Sequence, residues 1–321
     1  MNNTNKLVAT NEEWIERLYE WADKNNIPDL VSYDGFPKLE YFTHGLPRDK
    51  EKLLSLTRLN ICNCTIVKLP KEICQLTGLT ELNIDNTGII ELPTDIYKLS
   101  NLTTLVFSGN KIKHLPKELM RLHSLKTLDI SYNQIKYLPR EIDELQNLTT
   151  LNLSSNKLRD FPKVIAKLKN LTTLKLYNNK IKDLPKEIAR LKSLTTLDLN
   201  CNNIKYMPKE IGKLVNLSIL DFDDNKFNQI PKEIGKLIHL TELRLSGNEI
   251  RKLPKEIGKL SSLVKLYLPF NIISEIPKEF GNLKKLTILD LRWNYISELP
   301  QEIENLYKSK ILTLSDNPIE K

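Results

Sequence analysis

The 321-residue chain contains few of the residues from which catalytic and metal sites are usually built. It has four histidines, four cysteines and ten glycines. It has no Gly-rich phosphate-binding loop, no Gly-x-Ser-x-Gly motif, no close pair of histidines and no Cys-x-x-Cys. Asp221 and Asp223 are two residues apart, but an exposed pair without a pocket or a raised pKa would not act as a general acid and base. We therefore expect no enzymatic activity, no metal and no cofactor.

The cysteines and the distribution of apolar residues indicate the cellular compartment of the protein. Cys62, Cys64, Cys74 and Cys201 do not form a paired framework, which indicates reduced thiols. The polar N-terminal segment lacks the apolar core of a secretory signal, and no apolar run reaches the length of a membrane span. These features predict a cytoplasmic protein, and secretion by a signal-independent route is the open alternative.

A proline recurs every 23 residues along the chain. A fixed period in this range is typical of stacked supersecondary units that cannot bury their apolar faces alone. The chain is therefore a tandem repeat. The twelve prolines are Pro47, Pro70, Pro93, Pro116, Pro139, Pro162, Pro185, Pro208, Pro231, Pro254, Pro277 and Pro300.

Each unit changes its hydrophobic period midway. In the unit 102–124, apolar residues occupy unit positions 1, 4, 6, 11, 14, 18 and 21, with Asn110 at position 9 and Pro116 at position 15. Positions 4 and 6 alternate as in a strand, whereas positions 14, 18 and 21 have the spacing of a helical turn. The unit is predicted to be a strand, an Asn-containing turn, and a turn of α- or 3₁₀-helix opened by the proline.

The pattern Leu-x-x-Leu-x-Leu-x-x-Asn-x-Ile-x-x-Leu-Pro-x-Glu-Ile-x-x-Leu resembles the leucine-rich repeat superfamily, in its 23-residue class with a Leu-Pro-x-x-Ile signature. Eleven copies run from Leu56 to Lys308. The resemblance implies an α/β fold: a right-handed curved solenoid with a parallel β-sheet on its concave face and short helical or 3₁₀ turns on its convex face. Ras-associated scaffolds, plant intracellular Ras-group proteins and many bacterial proteins share this class, and most bind other proteins through the concave sheet.

Residues 1–55 and 309–321 flank the repeats at 56–308. A capping box at Thr10–Glu13 predicts a helix over about residues 11–25, which with the irregular stretch Ile27–Leu46 and a degenerate first repeat would cap the array. The alternative is that Trp14 and Trp21 of this helix bind a partner. Residues 309–321 form a partial twelfth repeat. Its open strand edge predicts self-association, unless a short cap suffices or a longer chain was cut.

Unit position 9 carries a row of asparagines on the buried side of the turn. An amide both donates and accepts hydrogen bonds, so stacked amides can satisfy the backbone groups of neighbouring turns. The first two repeats have Cys64 and Thr87 there, which predicts a less regular N-terminal end. The row comprises Asn110, Asn133, Asn156, Asn179, Asn202, Asn225, Asn248, Asn271 and Asn294.

The side chains that the repeat does not prescribe lie at unit positions 3, 5, 7 and 8 of the strand region. They are small and polar in repeats two to five, but aromatic and charged from the sixth repeat onward, and Tyr, Trp and Arg dominate binding hot spots. We expect repeats six to eleven to bind a protein partner on the concave face. The alternative is that Phe270 and Trp293 merely cover the C-terminal end. The candidate residues are Tyr177, Asp198, Asp221, Asp223, Arg244, Tyr267, Phe270, Arg292, Trp293 and Tyr295.

The net charge of +8 does not indicate nucleic acid as the partner. Most of the excess comes from lysines that follow the prolines and alternate with glutamates, whereas a phosphate-binding surface needs an unbroken basic stripe. Solubility explains these charges. The composition favours a bacterial protein. It would be an intracellular scaffold or, alternatively, a secreted effector or surface adhesin that binds a host protein or glycan.

Overall fold

The computed structural model describes residues 13–30 and 44–320. The chain forms two compact units, Met1–Leu148 and Thr149–Lys321. Both contain copies of the 23-residue repeat.

Within its described residues, the first unit has two helices, followed by four strands that alternate with 3₁₀-helices. The strands are parallel and pair in chain order, with Leu59, Leu82, Leu105 and Leu128 in register. The elements are α1 (Glu13–Lys24), α2 (Lys50–Leu54), β1 (Arg58–Asn60), η1 (Lys71–Gln75), β2 (Glu81–Asn83), η2 (Thr94–Lys98), β3 (Thr104–Val106), η3 (Lys117–Arg121), β4 (Thr127–Asp129) and η4 (Arg140–Glu144).

The second unit continues the same alternation, and each strand pairs in parallel with its neighbours in sequence. Its strands are β5 (Thr150–Asn152), β6 (Thr173–Lys175), β7 (Thr196–Asp198), β8 (Ile219–Asp221), β9 (Glu242–Arg244), β10 (Lys265–Tyr267), β11 (Ile288–Asp290) and β12 (Leu312–Thr313). Its helices are η5 (Lys163–Lys167), η6 (Lys186–Arg190), η7 (Lys209–Lys213), η8 (Lys232–Lys236), η9 (Lys255–Lys259), η10 (Lys278–Asn282), η11 (Gln301–Ile303), α3 (Glu304–Lys308) and η12 (Pro318–Glu320).

The repeated proline stands immediately before each 3₁₀-helix. In repeat seven, Pro208 has φ −70° and ψ 143° and is the N-cap of η7. Its carbonyl accepts a hydrogen bond from the amide of Ile211 at 3.0 Å. Proline suits this place because its φ is already fixed and a first-turn residue needs no N–H donor. The predicted order of strand, turn and proline-opened helix is confirmed, and the helix is of the 3₁₀ type.

The core is a stack of leucines and isoleucines. The central residue of each three-residue strand, such as Leu174, Leu197 and Leu220, is fully buried, and the residues on either side of it are at least partly exposed in nearly every repeat. Each leucine packs on the equivalent residue of the neighbouring repeat, so the array has a linear core. The strand residues that face away from this core form one outer sheet surface in each unit.

The asparagine row lies beneath this surface, and all nine of its side chains are buried. The Asn179 amide donates to the carbonyls of Leu153 (3.0 Å), Leu176 (3.1 Å) and Tyr177 (3.3 Å). Its Oδ1 accepts from the backbone N–H of Leu158 at 3.1 Å. One side chain thus connects the turns of two successive repeats.

Helix α1 covers the first repeat. Ile15, Leu18 and Ala22 are buried, and the helix contacts η1. Arg17 Nε donates to Glu72 Oε1 at 3.0 Å, and Trp21 Nε1 donates to the carbonyl of Lys68 at 3.2 Å. The start of the predicted capping box and residues 31–43 of the predicted irregular segment lie outside the described residues.

Candidate protein-binding surface

Position 5 of the repeat forms a row of charged and aromatic side chains across the second unit. The backbone register places Asp198 beside Asp221, Asp221 beside Arg244, and Arg244 beside Tyr267. Tyr267 is in turn paired with Asp290. Because neighbouring strands are about 4.8 Å apart, these side chains form one continuous row.

Arg244 is the centre of this row. Its guanidinium carbon lies 4.6 Å from the centroid of the Tyr267 ring, in a cation–π arrangement. Its Nε is 2.5 Å from Glu242 Oε1 and 4.0 Å from Asp221 Oδ2. These contacts fix the arginine between the acidic residues on one side and the tyrosine on the other.

The carboxyl groups of Asp198, Asp221 and Asp223 form an acidic cluster beside Arg244. The pKa of Asp221 is raised to about 7, mainly by burial and also by the nearby carboxylates of Asp223 and Asp198, whereas the hydrogen bond from the Asp223 amide and the charge of Arg244 lower it. Burial also raises the pKa values of Asp198 and Asp223, so the expectation that Asp221 and Asp223 lack a raised pKa is wrong. The negative charge of the cluster therefore changes near neutral pH.

Phe270 and Trp293 form a stacked aromatic pair. Their ring centroids are 5.6 Å apart and their planes differ by 12°. Phe270 is 58% exposed and Trp293 is 51% exposed, and Tyr295 on the adjoining turn is also exposed. This is a large apolar surface in contact with solvent.

The aromatic pair occupies a strained backbone position. Unit position 8 has a positive φ in all twelve repeats, a conformation that bulky residues rarely adopt. Phe270 and Trp293 both have φ 56°. Sequence analysis missed this feature, although Asn and Gly recur at position 8 and are the residues that favour it. The position comprises Asn63, Asn86, Gly109, Tyr132, Ser155, Asn178, Cys201, Asp224, Gly247, Phe270, Trp293 and Asp316.

The other two predicted residues, Arg292 and Tyr177, have different surroundings. Arg292 forms two hydrogen bonds with Asp290, at 2.9 and 2.7 Å. Burial alone would raise the pKa of Asp290, but these hydrogen bonds lower it below its usual value. Tyr177 is half-buried in repeat six, so three repeats separate it from Tyr267. The structure thus brings the acidic cluster, Arg244, Tyr267 and the aromatic pair onto adjacent repeats, with Tyr177 at the far end.

His44 lies between two cysteines in the first unit, which the sequence did not predict. Its Nδ1 accepts from the Cys62 amide at 3.2 Å, and its Nε2 is 3.5 Å from Cys64 Sγ. Each ring nitrogen thus faces a different cysteine. Within residues 13–30 and 44–320, no group of three His, Cys, Asp or Glu side chains is arranged to hold a metal ion.

None of the helices in the described part of the chain has both the length and the hydropathy needed to cross a membrane. All four cysteines are free. Burial and the neighbouring Asp224 carboxylate raise the pKa of Cys201 to about 11, so this thiol is not an activated nucleophile.

Two family models of leucine-rich repeats match this chain. A family model described as leucine-rich repeat region matches residues 41–128, 163–228 and 209–272, and a second, described as leucine rich repeat, matches 100–158 and 261–319. A search of curated proteins found no match.

Several solved structures are similar. A leucine-rich repeat protein of Leptospira interrogans is 41% identical, with a TM-score of 0.80 over 83% of this chain and 68% of that one. Internalin InlF of Listeria monocytogenes is 27% identical, with a TM-score of 0.75 over 86% of this chain and 77% of that one. Internalin C2 of the same organism is 29% identical, with a TM-score of 0.55 over 61% of this chain and 83% of that one.

The bacterial origin predicted from composition agrees with these relatives. Leucine-rich repeat proteins, including internalins, generally mediate protein–protein interaction, and the fold typically serves as a non-enzymatic scaffold. The extent of the family-model matches and the Leptospira relative show that this chain belongs to the leucine-rich repeat family.

Proposed function

We propose that this protein binds a protein partner through the outer sheet surface of repeats six to eleven and carries out no catalysis. The observation that carries the proposal is the Phe270–Trp293 pair. Two large aromatic residues occupy backbone positions that favour Asn or Gly, and they are more than half exposed. Such strain costs about 1–3 kcal/mol per residue and is typical of functional sites.

The charged neighbours support recognition of a protein. Arg244 and Tyr267 are half-buried and held by their mutual contact, so they lose little side-chain entropy on binding. Pre-organised Arg, Tyr and Trp side chains are the residues most often found at binding hot spots. A catalytic role is not supported, because the raised-pKa carboxyls lie on the sheet surface beside a thiol that is not activated.

The test is affinity capture from a lysate of the source cell, with the wild-type chain and the Tyr267→Ala/Trp293→Ala variant as baits. The matched control is Tyr137→Ala/Tyr206→Ala, which removes two exposed tyrosines outside the proposed surface. Circular dichroism establishes that all baits are folded. We expect a partner that is lost only with the first variant. A partner retained by both variants would contradict the proposed surface.

A second candidate is a secreted or surface protein that binds a host protein or glycan, and the similarity to Listeria internalins favours it. Capture from host-cell lysate, with no partner in the source lysate, would support this alternative. Binding to a glycan array that is lost with Trp293→Ala would indicate a carbohydrate ligand. Cell fractionation tests the predicted cytoplasmic location, and light scattering tests the predicted self-association through β12.

A further inference from the structure

The uncovered face of Phe270 borders a notch in the outer sheet surface. Trp293 is one repeat further along and its ring is nearly parallel, so it covers one face of Phe270. The other face is directed toward repeat nine, where Gly247 occupies the same unit position with φ 61°. Because glycine has no side chain, no third side chain follows Trp293 and Phe270 at this unit position in repeat nine.

Asp224 forms the opposite wall of this notch. Its carboxylate leans over Gly247, where a Cβ atom added to the glycine would clash with Asp224 Oδ1. The carboxylate therefore stands over repeat nine, beside the repeat that carries Phe270. Asp221 and Asp223 are on the same side, so the negative charge faces the aromatic wall.

A cation fits this combination of groups. Lysine and arginine side chains bind the face of an aromatic ring within about 6 Å of its centroid, and a carboxylate beside the ring adds an ion pair. The protein already uses the same arrangement internally, since Arg244 lies over Tyr267 while bound to Glu242. In the described residues, the cation–π contacts involve Tyr19, Tyr97 and Tyr267.

We infer that the notch formed by Asp224, Gly247 and Phe270 receives an arginine or lysine side chain of the protein partner. This inference rests on the proposed function and specifies the chemistry of the partner: a basic residue at the centre of its binding site. The hydrocarbon part of that side chain would pack against Phe270, and its charged end would contact Asp224.

The test does not require the partner. The full chain, labelled with ¹⁵N, is titrated with N-acetyl-arginine amide and with N-acetyl-lysine amide, and the uncharged N-acetyl-citrulline amide serves as the control probe. The readout is the indole N–H signal of Trp293, one of three tryptophans, which the Trp293→Phe variant assigns. We expect a saturable shift with one or both cations and binding of citrulline that is about fivefold weaker.

Two variants locate the binding. Asp224→Asn should weaken binding of the cation about fivefold, whereas Asp183→Asn, an exposed carboxylate outside the notch, should leave it unchanged. Gly247→Asn adds a side chain that tolerates the backbone conformation, displaces the Asp224 carboxylate from beside Phe270, and should abolish the shift. Equal binding of citrulline, the absence of saturation, or equal effects of Asp224→Asn and Asp183→Asn would overturn the inference.

The result is separable from that of the capture experiment. A partner that requires Trp293, together with no cation-specific shift, would overturn the notch and leave protein binding intact. Saturable cation-specific shifts with no captured partner would support the notch and count against the proposed function.

Discussion

Replacing Asn179 by leucine tests how the asparagine row stabilises the array. The substitution removes three donated hydrogen bonds and one accepted one. The three carbonyls each keep a second donor: Asn156 for Leu153, Asn202 for Leu176, and the Ser155 amide for Tyr177. The N–H of Leu158 is therefore the group that loses its hydrogen-bond partner.

The expected loss of stability comes from the unpaired N–H of Leu158. A buried donor without a partner costs about 1–3 kcal/mol. The three lost bonds to shared carbonyls contribute further, but burial of the leucine side chain offsets them by about 1.5–3 kcal/mol. We expect Asn179→Leu to lower the free energy of unfolding by about 1–3 kcal/mol.

Asn248 provides a matched comparison. It donates the same three hydrogen bonds, to the carbonyls of Phe222, Leu245 and Ser246. Among the described residues, however, its Oδ1 has no donor. Asn248→Leu leaves no N–H newly unpaired, so its unfolding free energy should stay within about 1 kcal/mol of the wild-type value.

Urea unfolding followed by circular dichroism measures both changes, with the half-buried Asn203→Leu as a control for the substitution itself. Because repeat arrays can unfold in parts, the slope with urea must be the same in all variants for the comparison to hold. Hydrogen exchange of the Leu158 amide should accelerate in Asn179→Leu. Equal stabilities of the Asn179→Leu and Asn248→Leu variants would refute the role given to the accepted hydrogen bond.

The other predictions concern the surface and the N-terminal segment. Trp293→Asn should relieve a left-handed backbone conformation that costs about 1–2 kcal/mol, and it loses a ring stack that contributes about 1 kcal/mol. The melting temperature should therefore not fall, although partner capture is lost. A clear drop in melting temperature would argue against backbone strain. Because burial raises the folded-state pKa of Asp221 to about 7, the stability that this group contributes should fall as pH rises from about 4 to 7. Asp221→Asn should therefore gain about 1–2 kcal/mol relative to the wild type between pH 4.5 and 8 in urea unfolding, and a constant difference would contradict this. Deletion of residues 1–50 uncovers η1 and should cause aggregation, measured by size-exclusion chromatography. A truncated chain that stays soluble would show that this segment is not a cap.

The sequence was sufficient to predict the repeat and its elements because these are local and repeated. Position 4 must be buried in every unit, and the proline at position 15 sets the start of the helix, so one reading of residues 102–124 applies throughout. The 3₁₀ form was left open because α and 3₁₀ turns of five residues have nearly the same apolar spacing.

The candidate surface was only partly predictable. Aromatic residues at Phe270 and Trp293 concealed the left-handed backbone that Asn86 and Gly247 indicate at the same unit position. The cation–π contact of Arg244 depends on a side-chain conformation, which the spacing of residues does not determine. The position of His44 depends on a segment outside the repeats. That segment has no periodic pattern from which its position could be predicted.

The constant register has a consequence for how such a chain can change in evolution. The strand pairs β7–β8, β8–β9 and β9–β10 join residues that are 23 positions apart. Loss or duplication of one whole unit by unequal recombination would therefore keep the backbone register and rejoin equivalent core positions. Loss of residues 240–262, for example, would remove Arg244 and place Asp221 beside Tyr267, which creates a new recognition row in a single genetic event. The number of repeats is thus a variable that selection can adjust without first redesigning the core.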